Sequence, residues 1–282
     1  MMQPTYLLAP QGARHRAQRA VIGSALGLAI GVAMLALPGL PLSPRPLDSQ
    51  SVSELLSVGD RESVARRPAA ALSNYERAIQ AEPKSYVALW KAAREAVDLG
   101  EFETNIPTRT ALYVRATDYA RRAVAANAND AEGHFQLSRA VGRTALAANP
   151  RDRVKYAVEV RETALKALQF QPRHPGALHV LGVWNAEVMR LNGILRSVAK
   201  AFLGGQVLGS ASWAEAIRYL ELAVAVEPNR LVHHLDLARI FRDAGRPNEA
   251  RAAYQAALRA PLQDANDDRY RQSADDELKK LR

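Results

Sequence analysis

The sequence predicts an all-α fold in which paired antiparallel helices stack into a solenoid, and three observations predict it. Hydrophobic residues make up 48% of the 282 residues and charged residues 24%, with Ala abundant and aromatics at 6%. Ala and straight-chain residues lose little conformational freedom in a helix, so this composition favours helix throughout. A small–large–small spacing also recurs: Ala71–Tyr75–Ala78, Ala216–Leu220–Ala223 and Ala250–Tyr254–Ala257. A breaker follows each of them, at Pro83, Pro228 and Pro261. Small residues let two helices approach closely, and a Pro just beyond stops the second helix without breaking it inside.

At the N-terminus, residues 1–20 hold Arg14, His15, Arg16 and Arg19 and no acidic residue. Residues 21–37, Val21 to Leu37, carry no charge, and Pro38, Pro41, Pro44 and Pro46 follow. A basic flank, an apolar stretch and a breaker match a signal peptide or an uncleaved signal anchor, hence an N-terminal hydrophobic helix. Met34 occupies the −3 place relative to Ala36, where cleavage wants a small residue, so an anchor is favoured. The Arg cluster then stays cytoplasmic and the body lies on the extracytoplasmic (periplasmic) side, membrane-anchored or secreted. Residues 38–50 read as a Pro-rich linker.

Residues 51–264 carry the repeat. Besides the three full segments, Ala116–Ala120–Ala123–Ala128 keeps only small positions, and Ala164–Ala167–Pro172 is partial. The preceding helices agree: Leu55-x-x-Val58-Gly59 and Leu178-x-x-Leu181-Gly182 have large-x-x-large-small order, with His134-x-x-Leu137-Ser138 and His234-x-x-Leu237-Ala238 as weaker versions. The end markers at 83, 128, 172, 228 and 262 are spaced by 45, 44, 56 and 34 residues. Only the last is the bare unit of a tetratricopeptide repeat, so the others contain longer helices or loops. The fold class is a tetratricopeptide-like helical-hairpin solenoid.

First helices of such repeats face the concave side, where residues three or four apart share a face. Their alignment places Trp90, Phe135, His179 and Leu235 at one level and Arg94, Arg139, Val183 and Arg239 four later. Asp98, Arg143 and Arg242 stand one turn further on. An apolar groove beside a ladder of Arg suits an amphipathic ligand with an anionic group, because the guanidinium fork matches carboxylate or phosphate. The alternative is that these Arg residues solvate the helices or pair with Glu95, Asp98 and Asp243.

Within an insertion at 190–205, Leu191, Ile194, Leu195, Val198, Phe202 and Leu203 form an apolar stripe opposite Asn192, Arg196 and Lys200, ended by Gly204-Gly205. This amphipathic helix is a candidate lid or membrane-surface element, or it packs on its own domain. Residues 265–282, preceded by Asp264, begin with Asp267 and Asp268 and end with Lys279, Lys280 and Arg282. That order complements the helix dipole and fits a polar capping helix.

Cysteine is absent, which removes disulfides, thiolate metal sites, a cysteine nucleophile and a lipoprotein anchor. His233-His234-x-Asp236 does not converge on one ion, since adjacent helical residues diverge by about 100°. His174 and His179 have no carboxylate at a useful sequence spacing. No His-Glu-x-x-His, Gly-x-Ser-x-Gly, phosphate loop or dinucleotide fingerprint occurs, so no enzyme, metal or cofactor is expected. The net charge of +9 is dispersed, without a Lys/Arg run interleaved with aromatics, which argues against a nucleic-acid partner.

Five stretches carry a family resemblance: LWKAAREAVDLG (Leu89–Gly100), YARRAVAANANDAEGHFQLSRAVG (Tyr119–Gly142), ALHVLGVWNAEVMRLNGILRSVAKAFLGG (Ala177–Gly205), then EAIRYLELAVAVEPN and LDLARIFRDAG. Over residues 53–260 the chain resembles the regulator of microtubule dynamics family, bacterial members included. The long insertion after Leu-Gly-x-Trp is the most specific feature. The family commonly has a basic residue where this chain has Val183, which takes away any anion contact at that place. The resemblance implies a helical-repeat domain, often membrane-anchored, without known enzymatic chemistry. It also implies eukaryotic relatives that associate with microtubules, or tether membranes and bind phospholipid. Microtubules are no partner for an exported bacterial chain. The expectation is therefore a scaffold binding a peptide or protein partner in its concave groove, the alternative being an anionic-phospholipid-binding or lipid-transfer module.

Overall fold

The computed structural model describes residues 50–147, 150–191 and 205–281, all of which belong to one compact unit. The predicted segments 1–20 and 21–37, the linker up to residue 49, and Ile194, Leu195, Val198, Phe202 and Leu203 of the insertion lie outside the described residues. Among the described residues there are twelve α-helices and no strand. They are α1 (Val52–Val64), α2 (Pro68–Ala81), α3 (Tyr86–Glu101), α4 (Ile106–Ala126), α5 (Ala131–Ala147) and α6 (Pro150–Phe170). There follow α7 (Pro175–Arg190), α8 (Gly205–Gly209), α9 (Trp213–Val226), α10 (Leu231–Asp243), α11 (Pro247–Arg259) and α12 (Asp267–Lys280). None is long and apolar enough to cross a membrane.

Consecutive helices pair into five hairpins, α1·α2, α3·α4, α5·α6, α7·α9 and α10·α11. The small residues of the repeat are what permits this. Ala71, Ala78, Ala116, Ala123, Ala164, Ala167, Ala216, Ala223, Ala250 and Ala257 are all fully buried. In two of the motifs the large residue sits over a glycine of the facing helix. A Cβ at Gly59 would lie 2.4 Å from the Tyr75 ring, and one at Gly182 would lie 2.4 Å from Leu220. In the second hairpin, where Ala120 replaces the large residue, Tyr113 fills the role over Gly100, 2.5 Å from a Cβ built there. Tyr113 stands seven residues earlier on α4, and Gly100 seven later than Ala93 on α3. In an antiparallel pair these opposite shifts meet.

Local chemistry sets the ends of the elements. Ser51 and Glu54 make a reciprocal capping box on α1. Pro68, Pro107, Pro175 and Pro247 sit in the first turns of α2, α4, α7 and α11, where a missing N–H is harmless. Between hairpins the chain repeats one turn, with Ser85, His174 and Arg230 N–H groups donating to the carbonyls of Glu82, Gln171 and Glu227. His134 and His234, the weak members of the first-helix motif, each reach the carbonyl six residues earlier, Ala128 and Pro228. They tie loops down.

The final helix does more than cap. α12 buries Tyr270 and Ala274 against the α10·α11 hairpin. The segment leading into it also meets α3: Asn266 Nδ2 donates to the Asp98 carbonyl at 2.9 Å, and the Phe102 and Tyr270 rings lie 5.4 Å apart. Arg66 pairs with Asp268 at 2.8 Å. The array thus curls until its last helix touches its first two hairpins. The concave groove is thereby bounded on a further side by the C-terminal segment.

Candidate functional site: a cavity on the inner face

The first helices α3, α5, α7 and α10 and the segment before α12 surround a cavity of about 820 Å³. Of the predicted groove residues, Trp90, Arg94, Phe135, Arg139, Arg143, His179 and Val183 line it, as does Leu191 of the insertion stripe. Leu235, Arg239 and Arg242 do not. Leu235 is fully buried in the core of the last hairpin. Arg239 reaches Glu277 of α12 at 2.6 Å, and Arg242 reaches the same carboxylate at 3.0 Å. α12 occupies the face of α10 that the alignment assigns to the groove, so Val232, His233 and Asp236 face the cavity instead.

One wall is apolar. Val160, Val180, Trp184, Val188 and Leu208 belong to this surface, and Trp184 is fixed by donating its indole N–H to the Ala157 carbonyl at 2.7 Å. The alignment misses Val160 and Leu208 because α6 and α8 lie outside the first-helix set, and Val180, Trp184 and Val188 because they stand beside, not at, the aligned positions of α7.

The opposite wall is charged, and its arginines are engaged. Arg94 pairs with Glu95 at 2.8 Å and bonds Ser63 at 2.9 Å. Arg139 pairs with Asp98, Arg143 with Glu101, and Arg230 with Asp264 at 2.6 Å. Burial opposes the charge of Arg139, but the Asp98 and Glu101 carboxylates more than offset it and hold the guanidinium charged. Pairing with Glu95 and Asp98 is therefore what the structure shows for Arg94 and Arg139. The Arg ladder is compensated.

Between these walls runs a histidine–carboxylate chain. His179 Nε2 lies 3.1 Å from Asp236, and its Nδ1 lies 2.8 Å from His233 Nδ1. His233 Nε2 lies 3.3 Å from Glu227, and His174 Nε2 lies 3.2 Å from Glu132. Sequence spacing offers His174 and His179 no carboxylate. The partners come from α5 and α10, one hairpin away, which no local motif displays. Burial pushes the His233 imidazole down to about 4, so it is neutral at pH 7. Burial alone would raise Asp236 and Glu132, but hydrogen bonds hold both carboxyls below their ordinary values, from His179 to Asp236 and from His174 and Gln136 to Glu132. Among the described residues no group of three His, Asp or Glu side chains has metal-binding geometry. His234, half-buried and bonded to the Pro228 carbonyl, takes no part.

The model of the regulator of microtubule dynamics protein 1-3 family matches residues 50–282. Regulator of microtubule dynamics protein 1 of Mus musculus is 24% identical over 142 residues, which is 50% of this chain and 46% of the relative. The Bos taurus protein of the same name is 24% identical over 159 residues, 56% of this chain and 48% of that one. The chain thus spans about half the length of the curated relatives it matches. A thermophilic tetratricopeptide-repeat protein of Thermus thermophilus superposes with a TM-score of 0.56 at 24% identity, over 79% of this chain and 98% of that one. Its likeness fixes the fold as a tetratricopeptide-like solenoid. The family match spans all the described helices, so this chain belongs to the regulator of microtubule dynamics protein 1-3 family.

Proposed function

We propose that this chain is a non-enzymatic interaction module that takes a peptide segment of a protein partner into the cavity on its concave face. The observation that carries the reading is the cavity itself. Its volume of about 820 Å³ falls in the range of ligand sites, and one apolar wall faces a polar one. Four of the five hairpins contribute lining residues, so they share one surface rather than forming separate ones. Filling it tests the reading. Val183→Trp places a large side chain in the cavity from a wall residue. The partner is identified with a photo-crosslinking side chain at Val183, analysed by mass spectrometry of the cross-linked fragment. A peptide adduct that disappears when the crosslinker is moved to the exposed position Val114 supports the reading. No adduct at Val183 rejects it.

A second reading, a phospholipid carrier, is favoured by the continuity of the apolar wall from Val160 through Trp184 to Leu208. Solvent extraction of the purified chain followed by lipid mass spectrometry separates the two: a stoichiometric lipid displaced by Val183→Trp establishes the carrier. We further propose that residues 21–37 anchor the body to a membrane with the repeat domain on the extracytoplasmic side. The uncharged stretch behind an Arg-rich flank supports this. Retention in the membrane fraction at alkaline pH, with the body accessible to protease added outside, is the expected result. Release at alkaline pH would reject the anchor.

A further inference from the structure

The charge of the cavity wall has the opposite sign to that of the chain. The chain carries +9, yet among the described residues six carboxylate side chains and four arginines, with no lysine, face the cavity. Each of the four arginines has a carboxylate partner. Glu132 and Glu227, by contrast, have no ion pair to Arg or Lys among the described residues; a histidine contacts each, and Arg94 and Arg230 act on them only at longer range. Counting histidine as neutral, the wall holds uncompensated negative charge in a partly desolvated place, where charge is felt most strongly.

A separate observation points the same way. Gln136 is 1% exposed, faces the cavity one turn after Glu132, and donates its Nε2 to Glu132 Oε1 at 2.7 Å. That bond fixes the orientation of the amide, because a carboxylate accepts and cannot donate. The Gln136 Oε1 is thereby turned away, buried, and without a hydrogen-bond donor. A buried acceptor left alone costs about 1–3 kcal/mol, so a donor is wanted beside it. An orphan acceptor next to an unpaired carboxylate is the complement of a donor-rich cation.

We propose that the cavity recognises a basic peptide segment, with one Lys or Arg side chain of the partner bound between Glu132 and Gln136 and its apolar neighbours on the Trp184 wall. This rests on the cavity being a peptide site, and it names the charge of the occupant. An anionic headgroup fits poorly, since each arginine that would meet it already has a carboxylate.

Fluorescence anisotropy on the full chain tests this with labelled synthetic peptides of Leu and Ala that differ only in one central residue, Lys, Gln or Glu. The Lys peptide should bind about tenfold tighter than the Gln peptide, a difference of ~1.4 kcal/mol, and the Glu peptide weakest. Glu132→Gln and, independently, Gln136→Leu should erase most of that preference while the apolar contribution remains. Circular dichroism confirms that each variant is folded, and either variant alone suffices. Equal binding of the three peptides, a preference for Glu, or a Lys preference that survives in both variants would overturn the proposal. If all three bind equally and Val183→Trp abolishes binding, the charge assignment fails and the peptide site stands. If none binds, and phosphatidylcholine vesicles containing phosphatidate bind in a Val183-dependent way, both fail.

Discussion

At the scale of single residues, His233 and Asp264 give the fold opposite responses to acid. Burial holds the His233 imidazole, close to His179, Arg230 and Glu227, down to about 4. Below its ordinary value of about 6.5 the unfolded chain takes a proton that the folded chain refuses, so stability is lost as pH falls from about 6.5 towards 4. Burial, with help from Asp267 and Asp98 and against Arg230, raises Asp264 to about 6. The folded chain there keeps a proton that the unfolded chain releases, so stability is gained as pH falls from about 6 towards 4. The two offset each other, and single variants unmask them. Between pH 7 and pH 5, His233→Gln should gain ~2 kcal/mol relative to the parent and Asp264→Asn should lose ~1 kcal/mol, read from urea unfolding at both pH values. Glycine offers a second residue-level contrast. A methyl at Gly59 meets the Tyr75 ring at 2.4 Å, whereas one at Gly142 meets only Val160 at 3.8 Å. Gly59→Ala should therefore cost about 1–3 kcal/mol by overpacking, while Gly142→Ala should stabilise by about 0.5–1 kcal/mol through helix propensity. A shared sign in thermal melts would show that the close approach over Gly59 is absent.

Among the elements, the turns inside hairpins matter most for registry. The α1–α2 turn and the α10–α11 turn share one geometry, with Arg66 at φ 58° and Gly245 at φ 75°. In each, the next N–H bonds back five residues, Arg67 to Glu62 and Arg246 to Phe241, closing the preceding helix. Only glycine adopts that φ freely, and the penalty for other residues is about 1–2 kcal/mol. Arg66→Gly should raise stability by ~1 kcal/mol despite losing its ion pair to Asp268, which is worth little at a half-exposed site. Gly245→Ala should lower stability by about the same amount. Thermal unfolding of the pair checks both.

The sequence is legible at this scale where the signal is local. The small–large–small spacing locates every hairpin, and even the degenerate Ala116–Ala120–Ala123 segment is a repeat whose large residue, Tyr113, has moved one heptad back. The site is legible in part. One level of the alignment finds Trp90, Phe135 and His179 because three first helices keep the same rotation. It fails at Leu235, Arg239 and Arg242 because α12, a helix outside the repeat, covers that face of α10. Glu132 and Gln136 escape notice because nothing in sequence links them to His174 of the next hairpin.

For the whole molecule, the closure by the C-terminal segment decides both stability and access to the cavity. Tyr270 is 8% exposed and joins the last hairpin to Phe102 at the end of α3. Tyr270→Ala should cost about 3–5 kcal/mol by analogy with large-to-small changes in a core. It should also raise amide exchange at both the end of α3 and the end of α10. Exchange confined to α12 would mean that the contact with α3 carries no weight.

A linear array of repeats frays from its tips, each unit melting almost independently of those far along the chain. Tying the tail back to the second hairpin joins units far apart in sequence, so the C-terminal tip is not free to start. Loosening any one unit strains the rest. Unfolding of residues 49–282 should then register as a single sharp transition, with the cavity lost at the same denaturant concentration as the helices that line it.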